Sequence, residues 1–320
     1  GNNINSISNN NFGGIFDGCQ YEVNGVYVNT TESGQGLFGT VNGGKIVNLG
    51  IGENCSINGG SSTGNVAGRL YNSYANNCYN KSELNCIEYT YGGVFGVLNN
   101  GSKIENCYNL GTINANNSEG DIGGVVGSVL SSTVLKCHNM GNINVLNTNY
   151  VGGVCGSLRN GSIIQYCYNS GEIMEGNNYI GGICGEVMAG GSTNIAKIEN
   201  CYNTGKVSGK VRVGGIIGNN QGQIISCYNI KSIEGTSFVG GIAGQNNGYN
   251  ASISNSYSLE GTSASVCGQN NSIIEASEIK TEVQMKSEEF VEILNKRLDN
   301  KIWNLDTRTI NNGYPILFWQ

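Results

Sequence analysis

Short apolar pieces recur along the chain at a regular spacing, separated by runs of Gly, Asn and Ser. The block Gly92-Gly93-Val94-Phe95-Gly96 returns five more times before residue 245, at steps of 26 to 33 residues. A second block follows each copy, as in Cys107-Tyr108-Asn109, and a third completes the unit, as in Gly111-Thr112-Ile113. Each unit predicts three short strands joined by corners, because β-branched residues favour strands and Gly and Asn tolerate corner geometry.

A single unit cannot bury its Val and Ile side chains, whereas stacked units can, by pairing each strand with its equivalent one turn later. The sequence therefore predicts an all-β protein, a parallel β-solenoid with three strands per turn and a small C-terminal helical cap. Weaker copies of the Gly block at 35–39, 64–68 and 264–268 extend the series to nine units. We expect residues 1–34 to form an N-terminal cap or incomplete first rung, and 35–275 a solenoid of about nine rungs.

Residues 276–320 are predicted to cover the open C-terminal end of the solenoid, because uncovered strand edges invite aggregation. Ser287 is the expected N-cap of a single helix, with Glu288 and Glu289 in its first turn. An apolar stripe at helical spacing follows and ends near Asn300; it comprises Phe290, Val291, Ile293, Leu294 and Leu298. At the other end, the stretch from Phe12 to Val28 is the candidate N-terminal cap.

The position of each residue relative to the repeated Cys predicts which side chains face the core. An apolar residue lies three positions before the Cys, as Ile104 does before Cys107. That spacing breaks strand alternation, so a bulge or corner is expected between the two. The residue directly before the Cys, such as Asn106, is expected to be exposed. The Asn after the Tyr, such as Asn109, is expected to form an amide ladder with its equivalents in neighbouring rungs.

The chain has twelve cysteines, and nine of them recur in two slots of successive units rather than in a disulfide-like pattern. Stacked free thiols are the favoured interpretation, since the slot takes a small apolar residue. Disulfides between adjacent rungs stay open as an alternative, because stacked positions fall within disulfide range. A metal site is disfavoured because no Cys-x-x-Cys spacing occurs. We predict no cofactor.

The aromatic residue after the Cys repeats from rung to rung and is the candidate ligand-binding feature. If the rings point outward, they form a stripe that could bind glycan rings or a flat protein surface. The alternative is that neighbouring rings only stabilise one another along the stack. The candidate residues are Tyr108, His138, Tyr168, Tyr202 and Tyr228.

Composition limits the chemistry that the chain can perform. It has 51 glycines, one proline, one histidine and 12% charged residues among 320. A single histidine excludes His clusters for metals and disfavours catalytic triads. The net charge of −6 argues against nucleic-acid binding, and no apolar run is long enough for membrane insertion. We therefore expect a non-catalytic monomer, and we interpret the chain as a fragment or mature part of a longer protein.

The repeated unit resembles a known family. Gly-Gly-Ile/Val-x-Gly followed by Cys-Tyr-Asn-x-Gly-x-Ile is similar to the GLUG-type repeat of bacterial surface adhesins and of the non-catalytic repeats of immunoglobulin A protease-like proteins. The resemblance covers about residues 35–268, and the tail, with Trp303 and Asn312-Gly313-Tyr314-Pro315, resembles the end of such arrays in Gram-positive proteins. It implies a secreted or cell-surface location, on a Gram-positive cell wall.

The same resemblance implies adhesion to a host or microbial surface glycan or protein, which is an analogy from fold to function. A passive stalk that displays another domain is the alternative. A polysaccharide-degrading β-helix enzyme is a further one, although such enzymes need clustered carboxylates and the chain has only four aspartates.

Overall fold

The chain folds as a parallel β-solenoid whose turns share three long sheets, which confirms the predicted fold class. The computed structural model describes residues 11–116, 119–191, 193–296 and 300–320. Sheet 1 contains nine parallel strands, so eight steps separate its first strand from its last. Its strands are Phe38–Asn42, Ala67–Tyr71, Phe95–Asn99, Val126–Leu130, Cys155–Arg159, Cys184–Val187, Ile217–Asn220, Ala243–Asn246 and Cys267–Asn270.

Sheet 2 has 17 strands and sheet 3 has 11. From the fourth turn onward, each turn contributes two short strands to sheet 2. The strands of sheet 2 are Ile15–Val23, Lys45–Ile51, Tyr74–Asn80, Lys103–Glu105, Tyr108–Asn109, Thr133–Leu135, His138–Asn139, Ile163–Gln165, Tyr168–Asn169, Lys197–Glu199, Tyr202–Asn203, Gln223–Ile225, Tyr228–Asn229, Ser252–Ser254, Tyr257–Leu259, Ile273–Glu275 and Glu278–Lys280.

Sheet 3 closes the turn, and two small sheets complete the strand inventory of the described residues. The strands of sheet 3 are Thr63–Gly64, Leu84–Cys86, Tyr91–Gly92, Ile113–Asn116, Ile122–Gly123, Ile143–Leu146, Asn149–Gly152, Ile173–Gly181, Val207–Gly214, Ile233–Glu234 and Ser237–Gly240. Tyr27–Asn29 pairs in parallel with Ser56–Asn58. Trp303–Asn304 pairs antiparallel with Ile316–Leu317 near the C-terminus.

A left-handed residue interrupts sheet 2 in each turn and explains the three-residue spacing seen in the sequence. Asn106 has a φ of 53° and separates Lys103–Glu105 from Tyr108–Asn109. This residue restores the inward direction of the following Cys, so Ile104 and Cys107 are both fully buried. The predicted bulge is confirmed. The equivalent left-handed residues of the following turns are Lys136, Tyr166, Asn200, Ser226, Asn255 and Ala276.

The predicted amide ladder is also present, inside the corner between sheets 2 and 3. The amide Nδ2 of Asn109 donates to Asn139 Oδ1 at 2.8 Å and to its own Gly111 carbonyl at 2.8 Å. Asn139 repeats the same pair of bonds with Asn169 and Gly141. The ladder runs through six fully buried side chains: Asn80, Asn109, Asn139, Asn169, Asn203 and Asn229.

The second glycine of the Gly-Gly block is required by this ladder. A Cβ added to Gly153 would overlap the carbonyl oxygen of Gly182 in the next turn and the side-chain amide of Asn169. The glycine block and the Asn of the Cys-Tyr-Asn block are thus two sides of one contact.

The repeated cysteines of sheet 2 point into the solenoid and form part of its apolar core. Cys107, Cys137 and Cys167 are fully buried and belong to the apolar core between sheets 1 and 2. All twelve cysteines are free thiols, which agrees with the favoured interpretation rather than with inter-rung disulfides. Burial raises the pKa of the Cys107 thiol well above its ordinary value. The described residues contain no cluster of three or more His, Cys, Asp or Glu that could hold a metal ion.

Two short helices follow the last turn where the sequence predicted one. Helix α1 is Glu282–Met285 and helix α2 is Glu288–Asn295. Ser287 is the N-cap of α2, as predicted, and its Oγ accepts from the backbone N–H of Phe290 at 3.1 Å. Leu298, expected in the apolar stripe, lies outside the described residues. Across the described chain, neither helix has the length and apolar character needed to span a membrane.

The C-terminal segment, described over residues 281–296 and 300–320, packs along the side of the solenoid rather than over its end, contrary to expectation. The strand Glu278–Lys280 still pairs with Tyr257–Leu259, so the stack continues beyond residue 275. Ile274, the inward-facing residue of the last turn, is only partly buried, whereas its partner Ile253 one turn earlier is fully buried. The segment instead turns back and packs along the side of sheet 2, where it forms a third apolar cluster with tyrosines of the repeats. At the other end, Ile15–Val23 is a strand paired with Lys45–Ile51.

Candidate functional site

The aromatic residues after the repeated Cys form one continuous ring stack on the outer side of sheet 2. Adjacent ring centroids are 4.7 to 5.1 Å apart and their planes differ by 5° to 8°. The spacing follows from in-register parallel pairing, since neighbouring strands lie about 4.8 Å apart. We call this stack the aromatic ladder; its members are Tyr79, Tyr108, His138, Tyr168, Tyr202 and Tyr228.

All five candidate residues predicted from the sequence are therefore brought together, but two of them are not on the surface. Tyr202 is 2% exposed and Tyr228 is fully buried, both beneath the C-terminal segment. Burial raises the pKa of both phenols. The expectation that Tyr202 and Tyr228 form part of an outward-facing stripe is wrong, because the segment packs against this side rather than against the open end.

Two tryptophans of the C-terminal segment contact the covered part of the ladder. Trp303 is fully buried and its ring lies 5.3 Å from that of Tyr228, at 51°. Its indole Nε1 donates to Asn200 Oδ1 at 3.2 Å. Trp319 lies beside two rings at once, with centroids 6.0 Å from His138 and 5.9 Å from Tyr168.

The same packing corrects the expectation for the residue before each Cys. Asn106 is exposed, as predicted, but Asn200, Ser226 and Asn255 are buried. Asn255 Nδ2 donates to the carbonyl of Ile293 in helix α2 at 3.1 Å. The residues directly before each repeated Cys, which we call the left-handed column, thus provide polar contacts for the segment. The ladder provides ring contacts and hydroxyl hydrogen bonds.

The uncovered half of the ladder is defined as Tyr79, Tyr108 and His138. Trp319 lies beside the His138 ring, so Tyr79 and Tyr108 are the rings that a ligand could reach. The three side chains are half-buried. The hydroxyl of Tyr79 donates to Glu22 Oε1 at 2.9 Å, and Glu22 also pairs with Lys81. Burial, and then the hydrogen bond to Glu22, raise the pKa of Tyr79 to about 12.

His138 replaces a tyrosine in the ladder and lies between two rings, 4.9 Å from Tyr108 and 4.7 Å from Tyr168. Burial lowers the pKa of its imidazole to about 4. Its Nδ1 is buried and has no hydrogen-bond partner among the described residues. This environment holds the ring neutral and stacked.

The His138→Tyr variant is expected to resist acid better than the native chain. Between pH 6.5 and about 4 the unfolded chain binds a proton at His138 that the folded chain does not, so native stability falls as the pH drops through this window. Tyrosine has no such titration, and the other repeats show that it fits the position. Thermal unfolding midpoints measured from pH 7 to pH 4 test this; parallel curves for the two proteins would contradict it.

A second aromatic stack lies outside the residues predicted from the sequence. Tyr150 and Tyr179 stack 4.9 Å apart at 3°, and the Arg212 guanidinium lies 5.0 Å from the Tyr179 ring centre. Beside it lie two buried carboxyls, Asp121 and Glu186, whose pKa values burial raises. The available signal was the position two residues before each Gly-Gly pair, but its chemistry varies from Asp to Tyr to Arg, which concealed the column.

Comparison with known proteins agrees with this architecture. Residues 176–208 match the family model described as the GLUG motif. They span one repeat, from the strand before Gly181-Gly182 through Cys201-Tyr202-Asn203 to Val207. The chain carries the GLUG motif. The GLUG resemblance noted in the sequence is thereby confirmed, and in this chain the matched repeat forms one turn of the stacked solenoid.

One solved structure shares the fold over most of the length of both chains. It is a protein from Bacteroides ovatus provisionally named an immunoglobulin A1 protease, with a TM-score of 0.51 and 18% sequence identity. The match covers 94% of this chain and 87% of the Bacteroides ovatus chain. At this identity the similarity shows the fold alone. A comparison with curated proteins found no match.

Proposed function

We propose that this chain is a non-catalytic adhesion module of a secreted or cell-surface bacterial protein, and that the uncovered half of the ladder is its binding surface. The supporting observation is a rigid stack of Tyr79, Tyr108 and His138 that ends where Trp319 begins to cover it. A stack of aligned rings at a surface loses little conformational freedom on binding, which favours affinity.

The residues of the ladder support binding rather than catalysis. A catalytic histidine needs its Nδ1 held by an acceptor and its Nε2 close to a nucleophile. Nδ1 of His138 has no such acceptor among the described residues, and rings lie against both faces of the imidazole. The name of the Bacteroides ovatus protein is therefore no reason to propose proteolysis here.

The test is binding of the fluorescently labelled chain to whole bacteria and to epithelial cells. Tyr108→Ser should reduce bound fluorescence by about tenfold, the size of change expected when an aromatic contact at a binding surface is lost. Tyr150→Ser is the matched control, since it removes a stacked, half-buried tyrosine from a different face. Equal binding by the native chain and Tyr108→Ser would contradict the proposal and favour a passive stalk. In a stalk the ladder would serve only stability, as the buried rings of Tyr202 and Tyr228 do.

A further inference from the structure

We propose that the uncovered half of the ladder recognises a tryptophan-bearing polypeptide segment of a partner protein, and not a sugar chain. This rests on the proposed function and names its ligand class. Three observations lead to it: which parts of the rings are free, what already binds the covered half, and which polar groups lie beside the rings.

The ladder offers ring edges to a ligand and no ring faces. Sugars bind aromatic side chains by stacking on a face. In the ladder each face is occupied by the next ring, with plane angles of 8° between Tyr79 and Tyr108 and 7° between Tyr108 and His138. The outermost face, that of Tyr79, is closed as well. The ring packs so closely on Gly50 of the preceding turn that a Cβ added there would overlap it. A face-stacking sugar therefore finds no free face in this half of the ladder.

The covered half shows what the ring edges do accept. Phe290 packs against Tyr228 at 67° and 6.2 Å, and Trp303 is tilted by 51° against the same ring at 5.3 Å. An inclined ring beside an edge is a favourable aromatic arrangement, because the edge is positive and the approaching face is negative. The occupant is a polypeptide with large aromatic side chains.

Amide groups complete the recognition in the covered half. Asn311 Nδ2 donates to the hydroxyl of Tyr228 at 2.7 Å, and Tyr202 OH donates to Gln320 Oε1 at 3.2 Å. Asn200, in the left-handed column, accepts from the Trp303 indole. Edges, tyrosine hydroxyls and the left-handed column thus form one docking surface with three kinds of contact.

The uncovered half continues this surface. Trp319 rests beside His138 and Tyr168, so the next ring pair along the ladder is Tyr79 and Tyr108. The left-handed positions of these rungs are Asn77 and Asn106, the same residue type that binds the Trp303 indole in the covered half. Asn106 is exposed; its Nδ2 donates to Asn76 Oδ1 at 2.9 Å, so its Oδ1 is the atom that would accept from an indole N–H, as Asn200 Oδ1 does. The lysines beside the surface are paired with carboxylates, Lys81 with Glu22 and Lys136 with Glu105, which fits an uncharged anchor such as tryptophan.

The experiment selects a phage-displayed random dodecapeptide library on the intact chain and measures the enriched synthetic peptides by calorimetry. We expect tryptophan in the enriched peptides and binding about tenfold weaker to Tyr108→Ser. Because removing a stacked ring could disturb the fold, Asn106→Lys provides a second test. Lysine already occupies the equivalent position at Lys136, so the fold should persist while binding weakens about fivefold, as expected for one lost hydrogen bond. Tyr150→Ser should bind like the native chain.

The outcomes separate this inference from the proposed function. Chitohexaose and cellohexaose are measured in parallel as sugar probes. Enriched peptides without tryptophan, peptides that bind Tyr108→Ser and Asn106→Lys as well as the native chain, or a hexasaccharide that binds in a Tyr108-dependent way would each overturn the inference. Cell binding that depends on Tyr108, in the absence of any tryptophan-peptide binding, would refute the inference and leave adhesion standing. Cell binding unaffected by Tyr108→Ser contradicts the proposed function itself.

Discussion

Replacing Trp303 with alanine is expected to release the C-terminal segment from the solenoid, at a cost of about 3–5 kcal/mol in the free energy of unfolding, the range for truncating a fully buried large aromatic side chain. Trp303 is the largest fully buried side chain in the described chain. Its removal also leaves Asn200 Oδ1 without the indole donor, which adds the cost of an unsatisfied buried acceptor.

The release is measured by hydrogen exchange and by chemical denaturation. Amides of helix α2 should exchange faster in Trp303→Ala, while amides of sheet 1 keep their protection, because the repeats retain their own core. Val283→Ala is the control, since this side chain of α1 is 82% exposed. Unchanged protection of α2 in Trp303→Ala would show that the tryptophan does not hold the segment.

Replacing Asn169 with alanine is the second substitution with a large expected effect, on the solenoid itself. Asn169 Nδ2 donates to Asn203 Oδ1 at 2.8 Å and to the Gly171 carbonyl at 2.9 Å, and Asn169 Oδ1 accepts from Asn139 at 2.8 Å. All of these groups are buried, so each one left without a partner costs roughly 1–3 kcal/mol. We expect a total loss of about 3 kcal/mol, because Asn139 still donates to Gly141.

Chemical denaturation followed by circular dichroism measures this loss. Asn114→Ala is the matched control, because Asn114 belongs to a similar side-chain ladder near the surface, where it accepts from Asn144 and donates to Asn85. Water can replace those partners, so the control should change stability by less than about 0.5 kcal/mol. Equal losses in the free energy of unfolding for Asn169→Ala and Asn114→Ala would mean that burial of the amide ladder does not contribute to stability.

Much of the solenoid can be derived from the sequence because its determinants are local or repeat at one spacing. Ile104 and Cys107 lie three apart, and that spacing predicts a bulge or corner between them, which the structure forms with the left-handed Asn106. The Asn of each Cys-Tyr-Asn block has a defined slot in its own turn, so stacking the turns forms the amide ladder. The cap of helix α2 is local as well, since Ser287 and Phe290 are neighbours in sequence.

The candidate site could be derived only in part, since its exposure depends on contacts that are distant in sequence. The ladder itself follows from the repeat, but Trp303 and Asn200, which decide what is covered, are 103 positions apart. The apolar residues of the tail fit an end cap as well as a lateral strap, because both bury the same side chains. The second stack at Tyr150 and Tyr179 was hidden because its slot does not keep one residue type.

The sequence by itself determined the period of the chain, its three-sheet turn, the buried amide and thiol columns and the aromatic ladder, because each depends on stacking one unit on the next. Only the tertiary structure decided that the C-terminal segment lies along the ladder, burying Tyr202 and Tyr228 and leaving Tyr79 and Tyr108 accessible. The physical reason is that strand pairing with the neighbouring turn fixes the position of each repeat, whereas the C-terminal segment lies outside the repeat and is not placed by such pairing. Its position is set by where Trp303 and Phe290 find complementary ring edges.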